Sequence, residues 1–336
     1  MSGPHSPEDH YARAKKNTFH ASVRKTALPE VHGYDFDDGV DFEKIISSFA
    51  TTGYQASHLA QAIAIINAMR KEEDITIYLG YTSNMVSSGL RDVFRYLVKH
   101  KMVDIVVTTG GGAEEDIIKC IAPFSLGSFE ADGAALREDG MNRIGNVLVP
   151  NDHYAKFEEF LTPLLADIAE EEKRTGIAVT PSELIDRMGA RIDDPTSIAY
   201  WAHKNSIPIF CPAIVDGSIG DQVFFFRHKH PKFQIDTARD IERLNLRTMD
   251  AKKTGLIILG AGIVKHHILN ANMMRNGCDY AVYINTSQEF DGSDAGARPD
   301  EAVSWGKILP EARSVKVFGD ATILFPLIVA STFAKR

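Results

Sequence analysis

The feature of this 336-residue chain that most restricts its fold is a unit that recurs along it. A short apolar run meets a turn rich in Gly, Ser, Thr or Asn, and a helical pattern follows. Ile75–Leu79 leads into Gly80–Gly89 and a helix through Lys99, and Val103–Val107 leads into Thr108–Asp116 and another helix. Ile207–Cys211 leads into Pro212–Asp221, Gly255–Leu259 into Gly260-Ala-Gly262, and Tyr280–Ile284 into Asn285-Thr-Ser287. Val315–Phe318 comes last, before Gly319–Thr322 and a C-terminal helix. Strands that alternate with helices in this way predict an α/β fold with an open, mostly parallel sheet and helices on both faces.

Such a sheet is Rossmann-like, and it binds ligands outside the carboxyl ends of its strands, where the turns just named lie. Residues 1–40 are polar and irregular, with a short helix expected around Tyr11–Lys16, and read as an N-terminal arm. No linker interrupts 41–336, which reads as a single domain. Tyr154–Arg174 reads as a surface helix. The net charge of −8 argues against a nucleic-acid partner and suits a cationic one, although surface acid for solubility is the commoner explanation. Cys120, Cys211 and Cys278 match no zinc spacing, so no metal is expected, and they fit buried thiols in a reducing compartment. The polar start carries no apolar leader and no run approaches a membrane span, so the expected location is cytoplasmic.

Thr108-Thr-Gly-Gly-Gly112 follows a strand and opens a helix, a setting in which bare N–H groups favour an anion such as pyrophosphate. Ser83-Asn84 and Ser87-Ser88-Gly89 form a similar turn. Gly260-Ala-Gly262 is half a dinucleotide fingerprint, with Lys265 where a third glycine is expected. Any one of these turns is explained by tight geometry, but several in one chain favour a nucleotide. Glu114 and Glu115 are placed in the first turn of their helix, where carboxylates offset the macrodipole.

Residues 284–308 carry the densest chemistry. Pro299 suits the first helical position, with Asp300 and Glu301 in the first turn, and Trp305 falls on the face of Glu301. Gly306 loosens the helix and leaves Lys307 near Trp305. On residue types alone this is a capped helix with a core tryptophan and a surface lysine. Yet Glu301-Ala-Val-Ser-Trp-Gly-Lys307 closely resembles the active-site motif of deoxyhypusine synthases. The resemblance covers roughly residues 32–334. It includes Gly80–Asn84, Gly110–Asp116, Asn142–Asn146, Asp216–Asp221, Val264–His267 and Asp320-Ala321.

The resemblance implies an NAD-dependent enzyme that moves the 4-aminobutyl group of spermidine, through an imine on Lys307, to a lysine of the hypusine-bearing translation factor precursor. It implies that Asp221, His266, Gly292, Ser293, Asp294, Glu301 and Trp305 line the spermidine pocket, with His266 also the catalytic base. It implies that NAD is held by Ser83, Asn84, Ser87, Thr109, Gly110, Gly111, Glu115, Asp216, Gly262, Thr286, Ser287, Asp320 and Ala321. It also implies a homotetramer with active sites between subunits.

These residue types suit that chemistry. Carboxylates anchor a polyamine, an indole offers an apolar and π-rich wall, and imidazole titrates near neutrality. An ordinary lysine, with pKa about 10.4, is neutral in only about one copy in 2,500 at pH 7. A nucleophilic lysine is therefore expected in an apolar setting or beside a cation. Two alternatives stay open: a homospermidine synthase, which transfers the same group to putrescine, and a catalytically silent NAD-binding subunit that activates a paralogue.

Overall fold

The computed structural model describes residues 6–19 and 28–335. Nine strands occur among them. β1 spans Ile75–Tyr81, β2 Ile105–Val107, β3 Ser125–Leu126, β4 Met141–Ile144 and β5 Val147–Pro150. β6 spans Ile209–Phe210, β7 Lys253–Leu259, β8 Cys278–Asn285 and β9 Ile308–Phe318. Six of them form one sheet in the order β6-β2-β1-β7-β8-β9, and every pairing is parallel. Counted by their appearance in the chain, these strands run 3-2-1-4-5-6, the order of dinucleotide-binding sheets. All six expected strands are present. β3, β5 and β4 form a separate antiparallel sheet, which the apolar-run pattern missed because its strands have two to four residues and little burial.

The central strands read as continuous apolar runs because both faces are covered. Successive side chains alternate between faces. Ile77, Leu79 and Tyr81 join Ile257, Leu259, Val282 and Ile284 in the larger core, where the Tyr81 ring stacks on Phe94 at 4.1 Å. Tyr78, Leu256, Ile258, Ala281 and Tyr283 face the smaller core, closed by Val264, Ile268 and Leu269 of the helix Gly262–Met273.

Two local expectations are corrected. The helix expected at Tyr154–Arg174 runs from Asn151 to Thr175 and is not merely superficial: Phe157, Leu161, Leu164, Leu165 and Ile168 are buried along one stripe. The polar turn after β1 contains a short helix, Ser83–Ser87. In the arm, the helix spans Pro7–Thr18, closed at its start by a capping box between Ser6 and Asp9, and buries none of its residues. The arm's residues 1–5 and 20–27 lie outside the described residues. Of the three thiols, Cys211 and Cys278 are buried as expected and Cys120 is half-buried.

Candidate active site

The turns and helix starts that follow the carboxyl ends of the six parallel strands carry every residue that the resemblance assigns to a dinucleotide. Ser83, Asn84 and Ser87 follow β1; Thr109, Gly110, Gly111 and Glu115 follow β2; Asp216 follows β6. Gly262 follows β7, Thr286 and Ser287 follow β8, and Asp320 and Ala321 follow β9. β1 and β7 are neighbours whose chains continue to opposite sides of the sheet, so the turns after them diverge and leave a crevice.

The backbone there is built for close approach. A Cβ on Gly110 would stand 2.7 Å from the Asp216 carbonyl oxygen, and one on Gly111 would stand 2.8 Å from Ser83 Cβ. The Thr109 hydroxyl accepts from the Ser83 N–H at 3.0 Å, which ties the first two turns together. Gly262 has φ +65° and open space where a side chain would go. No side chain caps the N-termini of the helices Gly110–Ile121 and Gly262–Met273. Donors at these ends are therefore left for an anion.

Glu114 and Glu115 do not sit in the first turn of their helix, which begins at Gly110 and has no acid there. Both lie in the next turn and are buried. Glu114 caps a different helix, accepting from the Ser218 and Ile219 N–H groups at 2.9 and 2.7 Å. Glu115 accepts from the Ser87 hydroxyl, and burial pushes its carboxyl up to about 7. Lys119, brought down to about 8 chiefly by burial, donates to the carbonyls of Val86, Ser87 and Ser88 and fixes the end of the Ser83 helix.

A second cavity, of about 360 Å³, collects His266, Gly292, Asp294, Glu301, Trp305 and Lys307, with Lys265, Asn270 and Arg298 also in its wall. Here the bland reading of the motif is inverted. Trp305 is 65% exposed, whereas Lys307 is only 7% exposed. The Lys307 ammonium lies over the indole, 5.5 Å from its ring centroid. The cause is the short helix Pro299–Ser304, which ends at Trp305; Gly306 then takes φ +68°, and the chain turns directly into β9. The Lys307 N–H donates to the Ala302 carbonyl at 3.0 Å, and its own carbonyl accepts from Cys278 at 3.1 Å. Lys307 is thus fixed at the amino end of the sheet, against the first residue of β8.

The carboxyl-end rule therefore holds for the dinucleotide candidates but not for Lys307. Seven residue steps of β8 separate Cys278 from Asn285, about 23 Å at strand rise. Asp221 and Ser293 are not brought to the cavity wall either. Asp221 lies in the first turn of the helix Ser218–Lys229, on the far side of the sheet order from β8 and β9.

The segment that carries Asp294 is stapled from beneath by two lysines to which the sequence motifs give no role. Lys265, 1% exposed, donates to the carbonyls of Asp294 and Ala297 and sits 4.7 Å from the Tyr283 ring centroid. Lys316 donates to the carbonyls of Ser287 and Gly296 at 2.8 and 2.6 Å. Burial lowers the pKa of both ammonium groups. Arg298 closes the segment with a two-pronged pair to Glu289 at 2.7 and 2.5 Å. Asp294 Oδ2 is left buried with no hydrogen-bond partner. Position 265 carried a readable signal, since it shares the buried face of Val264, Ile268, Leu269 and Asn272. His267, brought down to about 4 by burial, stays neutral and does not line the cavity.

The cavity thus pairs a buried lysine with an indole, an imidazole and an unpaired carboxylate, a set suited to holding an amine and forming an imine. The family model described as DS: Deoxyhypusine synthase matches residues 44–332. The chain is 54% identical to the deoxyhypusine synthase of Candida glabrata, over 93% of this chain and 94% of that one. It is 52% identical to that of Senecio vernalis, over 91% and 90%. A solved structure from Entamoeba histolytica, assigned provisionally as a deoxyhypusine synthase, superposes with TM-score 0.69 at 38% identity and covers 90% of this chain and 97% of that one.

Proposed function

The chain belongs to the deoxyhypusine synthase family, and from that premise we propose how its residues transfer the 4-aminobutyl group of spermidine to a lysine of the hypusine-bearing translation factor precursor. Asp294 and Glu301 pair with ammonium groups of the polyamine, and Trp305 covers its methylenes. At about 4 Å and an effective dielectric near 20, each such pair attracts by roughly 4 kcal/mol before desolvation is subtracted. The unpartnered Asp294 Oδ2 supports this reading, because a buried lone carboxylate oxygen calls for a donor. His266 takes the proton from the reacting ammonium. Lys307, held out of water beside the indole, attacks the oxidised carbon; the bond from that carbon to the substrate nitrogen breaks, 1,3-diaminopropane leaves with that nitrogen, and Lys307 carries the aminobutyl group as an imine until the acceptor lysine displaces it.

NAD, held along the carboxyl edge by Ser83, Asn84, Ser87, Thr109, Gly110, Gly111, Glu115, Asp216, Gly262, Thr286, Ser287, Asp320 and Ala321, would accept the hydride and return it. The uncapped helix ends and the open position at Gly262 fit such a group. That edge and Lys307 lie at opposite ends of β8, which favours a site shared between copies of a homotetramer, with Asp221 supplied by a second copy. Uncovered Phe224 and Phe225, beside Asp221 in the chain, and Ile263, Met274 and Trp305, beside the cavity, support such contacts. We place the activity of 41–336 in a single catalytic domain and the protein in the cytoplasm. No described helix is long and apolar enough to cross a membrane.

The single observation that carries the reading is the burial of Lys307 against Trp305 in an acid-bearing cavity. The test is incubation of the purified chain with NAD, spermidine labelled in its aminobutyl part and either the translation factor precursor or putrescine. Label on the precursor is the expected result. Label on putrescine alone would make the chain a homospermidine synthase, and no turnover by the chain alone would make it an activating subunit.

A further inference from the structure

β9 ends the sheet order, and among the described residues no strand lies beyond it. The Gly319 N–H donates back to the Asn285 carbonyl of β8 at 3.1 Å, whereas the Phe318 N–H points the other way and donates to Gln55 Oε1 at 2.7 Å. A side-chain amide oxygen thus stands where the carbonyl of a further strand would. Main-chain groups alternate sides along a strand, so Ser314 and Lys316 turn their N–H and C=O outward as Phe318 does. These residues line a cleft of about 550 Å³ together with Gln55, His58 and Gln61, which follow one another at three-residue spacing on the helix Tyr54–Met69. Arg298 lines both this cleft and the Lys307 cavity. β9 also begins next to Lys307: the partners of Ile308 and Ser314 on β8 are Cys278 and Ala281, three steps or about 10 Å apart at strand rise.

We propose that the protein acceptor lays the extended segment beside its lysine into this cleft as an added strand on β9, and that the lysine passes Arg298 into the Lys307 cavity. This rests on the transfer reading given above. Main-chain hydrogen bonds to a free sheet edge hold an extended peptide whatever its side chains, and the exposed His58 and Gln61 on the helix wall select among those side chains. A free diamine has no main chain to pair. The cleft therefore favours a protein lysine over putrescine, although both would enter the same cavity. Of the dinucleotide candidates only Ser287 reaches the cleft, and its carbonyl already accepts from Lys316.

The test compares the full-length protein with two variants outside the Lys307 cavity. Ser314→Pro deletes one outward N–H at a place where an edge strand tolerates proline. The double variant His58→Ala, Gln61→Ala clears the helix wall and leaves β9 untouched. Transfer of the labelled aminobutyl group to the precursor and to putrescine is measured, with spermidine cleavage in the absence of acceptor, Kd for NAD and thermal melts. Each variant raises KM for the precursor about three- to tenfold, the effect of roughly one lost hydrogen bond. Spermidine cleavage, transfer to putrescine and Kd for NAD stay within about twofold of the parent, on the same reasoning. A precursor KM within twofold of the parent in either folded variant overturns the proposal, and the helix-wall variant decides the matter should Ser314→Pro fail to fold. An equal loss in spermidine cleavage overturns it by giving the cleft to the polyamine, and weakened NAD binding does so by giving it to the dinucleotide. Failure of the parent protein to label the precursor removes the transfer reading beneath the proposal; a labelled precursor with parental KM in the variants removes the proposal alone.

Discussion

Replacing Asp294 with Asn removes one negative charge from the Lys307 cavity and leaves its shape intact. The main-chain carbonyl of Asp294 is held by Lys265, so the side chain is aimed from a fixed point. Its Oδ2 is buried and has no hydrogen-bond partner in the unliganded fold. The charge attracts the buried Lys265 ammonium, but Oδ2 gains a hydrogen bond only when a cationic substrate arrives. A charge-assisted hydrogen bond to an ammonium contributes about 1.5–3 kcal/mol net of desolvation. At 1.4 kcal/mol per decade this predicts a rise of roughly 10- to 150-fold in Kd for spermidine. Calorimetric titration of the NAD-loaded protein reads that change directly, and KM for spermidine cleavage should follow it. Little is lost from the unliganded fold, so Tm should stay within about 2 °C of the parent. A spermidine Kd within threefold of the parent, in a variant with an unchanged melt, would refute the assignment of Asp294 to the substrate.

Lys307→Arg should abolish transfer to the precursor while NAD-dependent spermidine cleavage stays detectable, because arginine keeps the charge but cannot form the imine; full transfer would remove Lys307 from the mechanism. Glu115 has a folded pKa of about 7 against an ordinary 4.5, so the stability it contributes is complete below 4.5 and is lost as pH rises through 7. Glu115→Gln should therefore be more stable than the parent at pH 8 by up to about 3 kcal/mol, and no more stable at pH 4.5, by urea midpoints at the two pH values. Lys265→Met removes two charge-assisted bonds to main-chain carbonyls but relieves a buried ammonium, and should cost about 2 kcal/mol in stability. Hydrogen exchange should rise within 287–298 and stay unchanged in β1; a uniform rise would argue against a local staple.

Much of the architecture was readable because a strand covered on both faces must be apolar along its whole length, and a turn at its end must admit tight backbone. The six parallel strands and the seam of turns after them follow from that. β3, β4 and β5 escaped because they are short and little buried, so no apolar run marks them. Glu114 was misplaced because its carboxylate serves the Ser218 helix, 104 residues away in the chain, and no local pattern reports such a contact. Lys265 was noticed only as a departure from a glycine pattern, although its place on the apolar face of its helix pointed to burial.

Local chemistry along the chain determined the α/β class, the phosphate-type turns and the identity of the Glu301–Lys307 motif, since each depends on residues within a few positions of one another. Whether Trp305 or Lys307 would be the buried member of that motif was decided by tertiary packing. The positive φ of Gly306 and the pairing of Ile308 with Cys278 turn the lysine inward and leave the indole out. The same pairing sets Lys307 a strand's length from the carboxyl edge of the sheet. Separation along a strand is a property of how the sheet is registered, and no residue pattern within 284–308 contains it.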